Sequence, residues 1–147
     1  MTALTYPLDP VDAAVVALLD SPDNLHVHVG AVGDSDDSAK TISAPLPYAL
    51  YSSALPYQPG PQRLGRGYRP DVSDFTVTAT HSSLDGCKAV AAAVRGLLNG
   101  HALTVDGKTC RIRLSDPDEP VIVSKDPTWT RPGGLPLFFA VDRYYVL

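Results

Sequence analysis

The chain has 147 residues, 44% of them hydrophobic and 19% charged, and a formal net charge of −4. That length suits one domain with a real buried core, and the weak charge argues against a dedicated nucleic-acid binder. No segment approaches the roughly 20 apolar residues of a membrane-spanning helix; without a basic, then apolar, start, no secretory leader is expected.

The first predicted element is a helix over residues 9–20. Asp9 serves as its N-cap and Pro10 as its first helical residue, where a ring with fixed φ and no N–H is well suited. Val11, Ala14, Val15, Leu18 and Leu19 form the buried stripe, and Ser21-Pro22-Asp23-Asn24 ends the helix. Leu25 to Val29 reads as a short strand. Residues 30–44, rich in Gly, Asp and Ser, read as an exposed loop. Leu46 to Ala54 is a second strand, rich in tyrosine. Residues 55–74 hold four prolines, three glycines and three arginines without an apolar period, the pattern of a long projecting arm.

The clearest unit spans residues 75–99. Phe75, Val77, Ala79 and His81 fall on one face of an extended chain, and Thr76, Thr78, Thr80 and Ser82 on the other, as a half-buried strand requires. From Ser83 the period changes. Cys87, Val90, Ala91, Val94, Leu97 and Leu98 recur at helical spacing, with Lys88, Arg95 and Asn99 opposite. Ser83 is the N-cap, Asp85 sits in the first turn, where the helix dipole favours an anion, and Gly100 stops the helix.

Beyond it, His101 to Val105 and Lys108 to Leu114 flank Asp106-Gly107, a strong two-residue hairpin signal. Val121 to Ser124 is a short extended piece, and Thr128 to Pro136 reads as irregular. Leu137 to Val146 is the last strand; being apolar on both faces, it belongs in the middle of a sheet or under another subunit. The expected fold class is α+β: a mostly antiparallel sheet, two helices packed on one face and a long projecting loop.

Chemistry-bearing residues are sparse. His26 and His28 share a strand face, but no Cys, Asp or Glu stands at matching ligand spacing, so no metal is expected. Cys87 lies on the apolar helix stripe, where a buried thiol is inert; with no mark of secretion, Cys87 and Cys110 read as free core thiols. Asp34, Asp36 and Asp37 crowd one loop without the ligand spacing or closing Glu of a calcium loop. The glycines at 60, 65 and 67 precede no helix, so no phosphate-binding fingerprint exists. No catalytic residue and no cofactor is expected.

The arm differs. Arg63, Arg66 and Arg69 occur without an intervening acid beside Tyr57 and Tyr68. Arg and Tyr carry interface hot spots, and proline lowers the cost of ordering such a segment. A solvated loop is the plainer alternative; a DNA-contacting arm is a third, with only a small electrostatic footprint. Trp129 and Arg131, beside Pro132-Gly133-Gly134, form a second candidate contact patch, unless Trp129 covers the core edge.

Taken together, DPVDAAVVALLDS, then LPYALY, then FTVTATHSS feeding KAVAAAVRGLLNG, and the closing FFAVDRYYVL resemble the tail terminator (tail completion, or head–tail joining) proteins of long-tailed bacteriophages. The resemblance spans most of the chain through order and texture rather than signature residues. It implies an α+β structural virion protein, not an enzyme. Such a protein forms a hexameric ring at the head-proximal end of the tail tube, stops tube polymerisation and docks to the head connector. Its partners would be copies of itself, the tube protein and the neck, with DNA passing through the lumen without specific binding. Assembly would take place in the host cytoplasm. The long 55–74 insertion departs from the shortest family pattern. In such a ring, the arginines of the arm would pair with acidic surface on a neighbour, the Asp34, Asp36 and Asp37 loop being one candidate. Other readings are a neck, head-completion or minor tail protein and, from a different class, a small ligand-binding or enzymatic domain that uses the histidines.

Overall fold

The computed structural model describes residues 10–53 and 73–147. The predicted N-cap Asp9 and the arm as far as residue 72 lie outside the described residues. Ser73 and Asp74, expected at the end of the arm, instead begin a strand.

The elements are α1 (Pro10–Leu19), β1 (His26–Val29), β2 (Ser35–Asp36), β3 (Thr41–Ile42), β4 (Tyr48–Ser53), β5 (Ser73–His81), α2 (Leu84–Leu98), β6 (Ala102–Val105), β7 (Lys108–Leu114), β8 (Ser124–Thr130) and β9 (Pro136–Val146). The strands join in the order β1-β4-β5-β9-β8-β3-β2, and β7, carrying β6, pairs with the far end of β9. The class is α+β. The sheet is mixed and curls strongly into a half-barrel: β1 runs parallel to β4 and β3 to β8, while the other ladders are antiparallel.

Local chemistry explains the best-defined elements. The Ser83 hydroxyl accepts the Gly86 N–H at 3.0 Å and caps α2, one of the N–H groups that a helix start leaves unpaired. Asp106 and Gly107 both take positive φ, 52° and 78°, the geometry a two-residue turn needs to match strand twist.

Two expectations fail. Residues 30–44 are not simply an exposed loop: they contain β2 and β3, and they bury Ile42 and Ala44. Residues 128–136 are not wholly irregular either, because β8 runs through Thr130 against β9. β2 and β3 have only two residues each, β8 is polar and pairs irregularly with β9, and the ladder that joins the two segments links Thr41 to Thr130, so no local period announces them.

Both helices feed one core. Val15 and Leu19 of α1 and Val94 and Leu98 of α2 pack with Ala49, Tyr51, Phe75, Val77, Tyr144 and Val146. Tyr51, Phe75 and Tyr144 lie ring against ring across β4, β5 and β9, with centroids 5.2 and 5.3 Å apart. The Tyr51 hydroxyl also bonds the Asp12 carboxylate and ties α1 to β4. Because side chains alternate along a strand, burying this set against the helices turns its neighbours to the opposite face.

Candidate functional site

That opposite face carries no helix. It presents Tyr48 and Leu50 from β4, Thr76, Thr78 and Thr80 from β5, and Leu137, Phe139 and Val141 from β9, as the paired registers require. At one end the chain before and through β3 curls over it: Ile42, Ala44, Tyr48 and Leu137 are buried together, with Val32, Leu46 and Trp129 against them. The cover opens onto a groove of about 300 Å³, lined by its Val32 and Ile42 together with Leu50, Phe139, Val141 and Asp126. Thr78 and Thr80 form part of its lining; as short β-branched residues beside larger flanking side chains, they leave the surface shallow. Val141 is 54% exposed in mid-strand, which is costly for a valine in a formed sheet unless something covers it.

Past Val141 the same face turns basic. Arg143 and Tyr145 follow on β9, Arg113 stands opposite Tyr145 on β7, and Arg111 lies two residues further along.

The polar groups around the groove are largely engaged. Asp126 Oδ1 accepts the N–H groups of Thr128 and Trp129, both at 2.9 Å. Burial raises the Tyr48 phenol above its usual range, against the pull of a hydrogen bond with the Thr80 side chain. The His28 ring stands edge-on to Tyr48 at 5.3 Å, and its Nε2 is buried without a partner among the described residues. No three metal-ligating side chains come together among the described residues.

The sequence-predicted site residues fall elsewhere. Tyr57, Arg63, Arg66, Tyr68 and Arg69 lie outside the described residues. Arg131 is half-buried, and its Nη1 donates to the carbonyls of Ile42 at 2.9 Å and Ala44 at 2.5 Å, so it braces the cover over the sheet. Trp129 packs on that same cluster, with Lys40 Nζ 5.2 Å from its ring centroid. Asp34, Asp36 and Asp37 are exposed. Asp36 Oδ1 accepts from Ser38 N, Ser38 Oγ and Ala39 N, and these bonds, the one from Ala39 first, lower its pKa. Cys87 is fully buried and donates to the Ala79 carbonyl at 3.4 Å; burial pushes its thiol up to about 11.

The groove residues Leu50, Phe139 and Val141 had one visible signal, the two apolar faces of the last strand. The arginines had another: Arg111 and Arg113 alternate around Ile112 in KTCRIRL, which places both on one strand face. Among the described residues this face brings no nucleophile, base and oxyanion site into mutual reach. The chain matches no known protein-family model, no curated protein and no solved structure.

Proposed function

We propose that this chain is a structural virion protein of the tail-terminator kind. It would form a closed, hexameric ring at the head-proximal end of a phage tail tube, end tube growth and offer the surface to which the head joins. The observation that carries the reading is the helix-free sheet face: β9 is central and apolar on both sides, yet Val141 is 54% exposed and Phe139 lines an open groove. Exposed apolar side chains rimmed by Arg and Tyr are the composition of a protein interface, and a ring needs one such surface on every subunit. The family resemblance supplies the partners: the tube protein on one side, the neck on the other, and DNA passing through the lumen. The same reasoning covers a neck, head-completion or minor tail protein, which also works by contact.

Electron microscopy of purified tails carrying a labelled copy tests the reading. Label at the end next to the head supports it; label along the tube, at the far tip or nowhere rejects it.

The groove favours a second reading, a binder of a small apolar ligand, because about 300 Å³ lies at the lower end of ligand-sized pockets. A monomer that takes up such a ligand stoichiometrically would favour this reading over the ring.

A further inference from the structure

The helix-free face has two parts: the apolar groove around Phe139 and Val141, then the arginines 143, 113 and 111 around Tyr145. Arg113 and Arg143 are diagonal neighbours on adjacent strands, about 7–8 Å apart by sheet geometry. Both are exposed, and no carboxylate among the described residues pairs with either. Arg111 reaches only the Gly100 carbonyl, at 2.9 Å. Two acids stand beside them, Asp74, opposite Tyr145 on β5, and Asp116, one residue past Ser115, whose N–H bonds the Arg143 carbonyl at 2.9 Å; neither pairs with an arginine among the described residues. A partner for this face must therefore offer an apolar knob and, a short distance away, negative charge.

The chain itself carries that complement. Asp116, Asp118 and Glu119 are all exposed in the turn before β8, and Ile122, three residues on, is 61% exposed. Pro117 and Pro120 stiffen the segment, so little entropy is lost when it docks. The spacing also matches. Asp118 and Ile122 are four residues and at most about 14 Å apart, and Phe139 and Arg143 are four residues and about 13 Å apart along β9.

The segment sits on the helix side of the sheet. Val121 and Val123 pack with Cys87, Ala91 and Ala140, and the Glu119 carbonyl accepts Arg95 Nη1 at 2.7 Å. Ile122, between those two valines, and the groove thus lie on opposite faces of one sheet, so a copy cannot seat its own Ile122 there. We infer that residues 116–122 of one copy dock on the helix-free face of the next, with Ile122 in the groove and Asp116 and Asp118 against Arg113 and Arg143. Such a contact is head-to-tail, and it closes into a ring where the rotation permits. This rests on the ring reading above and supplies its subunit contact.

Native mass spectrometry of the full chain tests it with two charge-reversed variants, R113E/R143E and D116K/D118K. All four side chains are exposed and form no hydrogen bond or ion pair among the described residues, and circular dichroism checks the fold of each variant. The wild type should assemble, and each variant alone should dissociate at a concentration roughly tenfold or more higher. An equimolar mixture of the two should reassemble with equal numbers of each, because the acidic knob of the first meets the arginines of the second and the lysine knob of the second meets the glutamates of the first. A variant that assembles like the wild type, a mixture that does not recover, or a wild type that stays monomeric overturns the inference. None of these results moves the position of the label on the tail, which judges the tail-end reading separately.

Discussion

Arg95 of α2 and Asp142 of β9 meet through two parallel bonds, Nε to Oδ2 at 2.8 Å and Nη2 to Oδ1 at 2.7 Å. The pair is mostly buried, and the Asp142 bond raises the Arg95 pKa further, against the cost of burial. It clamps the second helix to the strand whose other face is the groove, and through Nη1 it also holds the turn at Glu119. Structural rigidity and both halves of the inferred subunit contact therefore depend on one guanidinium.

Replacing Arg95 by Ala strands a mostly buried carboxylate and should cost about 2–4 kcal/mol. Replacing both residues with apolar side chains, as in R95M/D142L, should cost less than R95A alone, since no charge is left unpaired. Urea denaturation of the two single variants and the pair checks this; an additive double variant would show that the charges do not couple.

Two glycines in the second helix should respond in opposite directions to alanine. At Gly96 a Cβ meets nothing within 4 Å, so G96A should gain about 0.5–1 kcal/mol from reduced chain entropy. At Gly86 a Cβ would come 2.6 Å from the Ser83 hydroxyl and 3.0 Å from the His81 ring. There the capping bond must give way, and G86A should lose about 1–2 kcal/mol. Thermal melts of the two variants should shift in opposite directions.

The pH dependence follows from Cys87. Burial raises its thiol from 9.0 to about 11, so between those values the unfolded thiol ionises while the folded one stays neutral. The unfolded state then holds fewer protons, and stability is complete below about pH 9 and falls as pH rises towards 11, by up to about 1.4 kcal/mol per unit for this group. The Tyr144 phenol, also pushed up by burial, adds to the fall above pH 10. Urea midpoints from pH 7 to 11 should show the decline, and C87A should flatten it between 9 and 10.

Tyr144 carries a buried hydroxyl without a partner among the described residues. Its ring stacks on Phe75 with planes 11° apart, so Y144F keeps the packing and removes only the unsatisfied oxygen. The variant should be as stable as the parent or up to about 1 kcal/mol more stable. A loss above 1 kcal/mol would show that the hydroxyl is satisfied.

Val141 separates folding from assembly. It faces outward on β9, so V141D should change the urea midpoint little while weakening self-association at least as much as the charge reversals. Sedimentation velocity reads the second effect, and the urea curve the first.

Several elements are legible in the residues alone because their causes are local. Ser83 caps α2 through an N–H three residues away, Asp106-Gly107 turns the β6–β7 hairpin within two residues, and the alternation from Phe75 to His81 places Phe75 and Val77 in the main core. The doubled apolar face of Leu137 to Val146 calls for a central strand or one covered by another subunit, and β9 is central. None of these needs a distant partner to be recognised.

The tertiary structure decided the rest. The parallel ladders β1–β4 and β3–β8, the cover of Val32 and Ile42 over the sheet, and the spending of Arg131 on the Ile42 and Ala44 carbonyls all join segments many residues apart. Strand pairing is set by side-chain burial summed over the whole sheet, so a two-residue strand such as Thr41–Ile42 leaves no periodic trace. The site follows the same division. Sequence alternation says that Arg111 and Arg113 share a face, and that Phe139 and Val141 share one. Only the β7–β9 register puts all four on the same face, opposite the helices and away from Ile122.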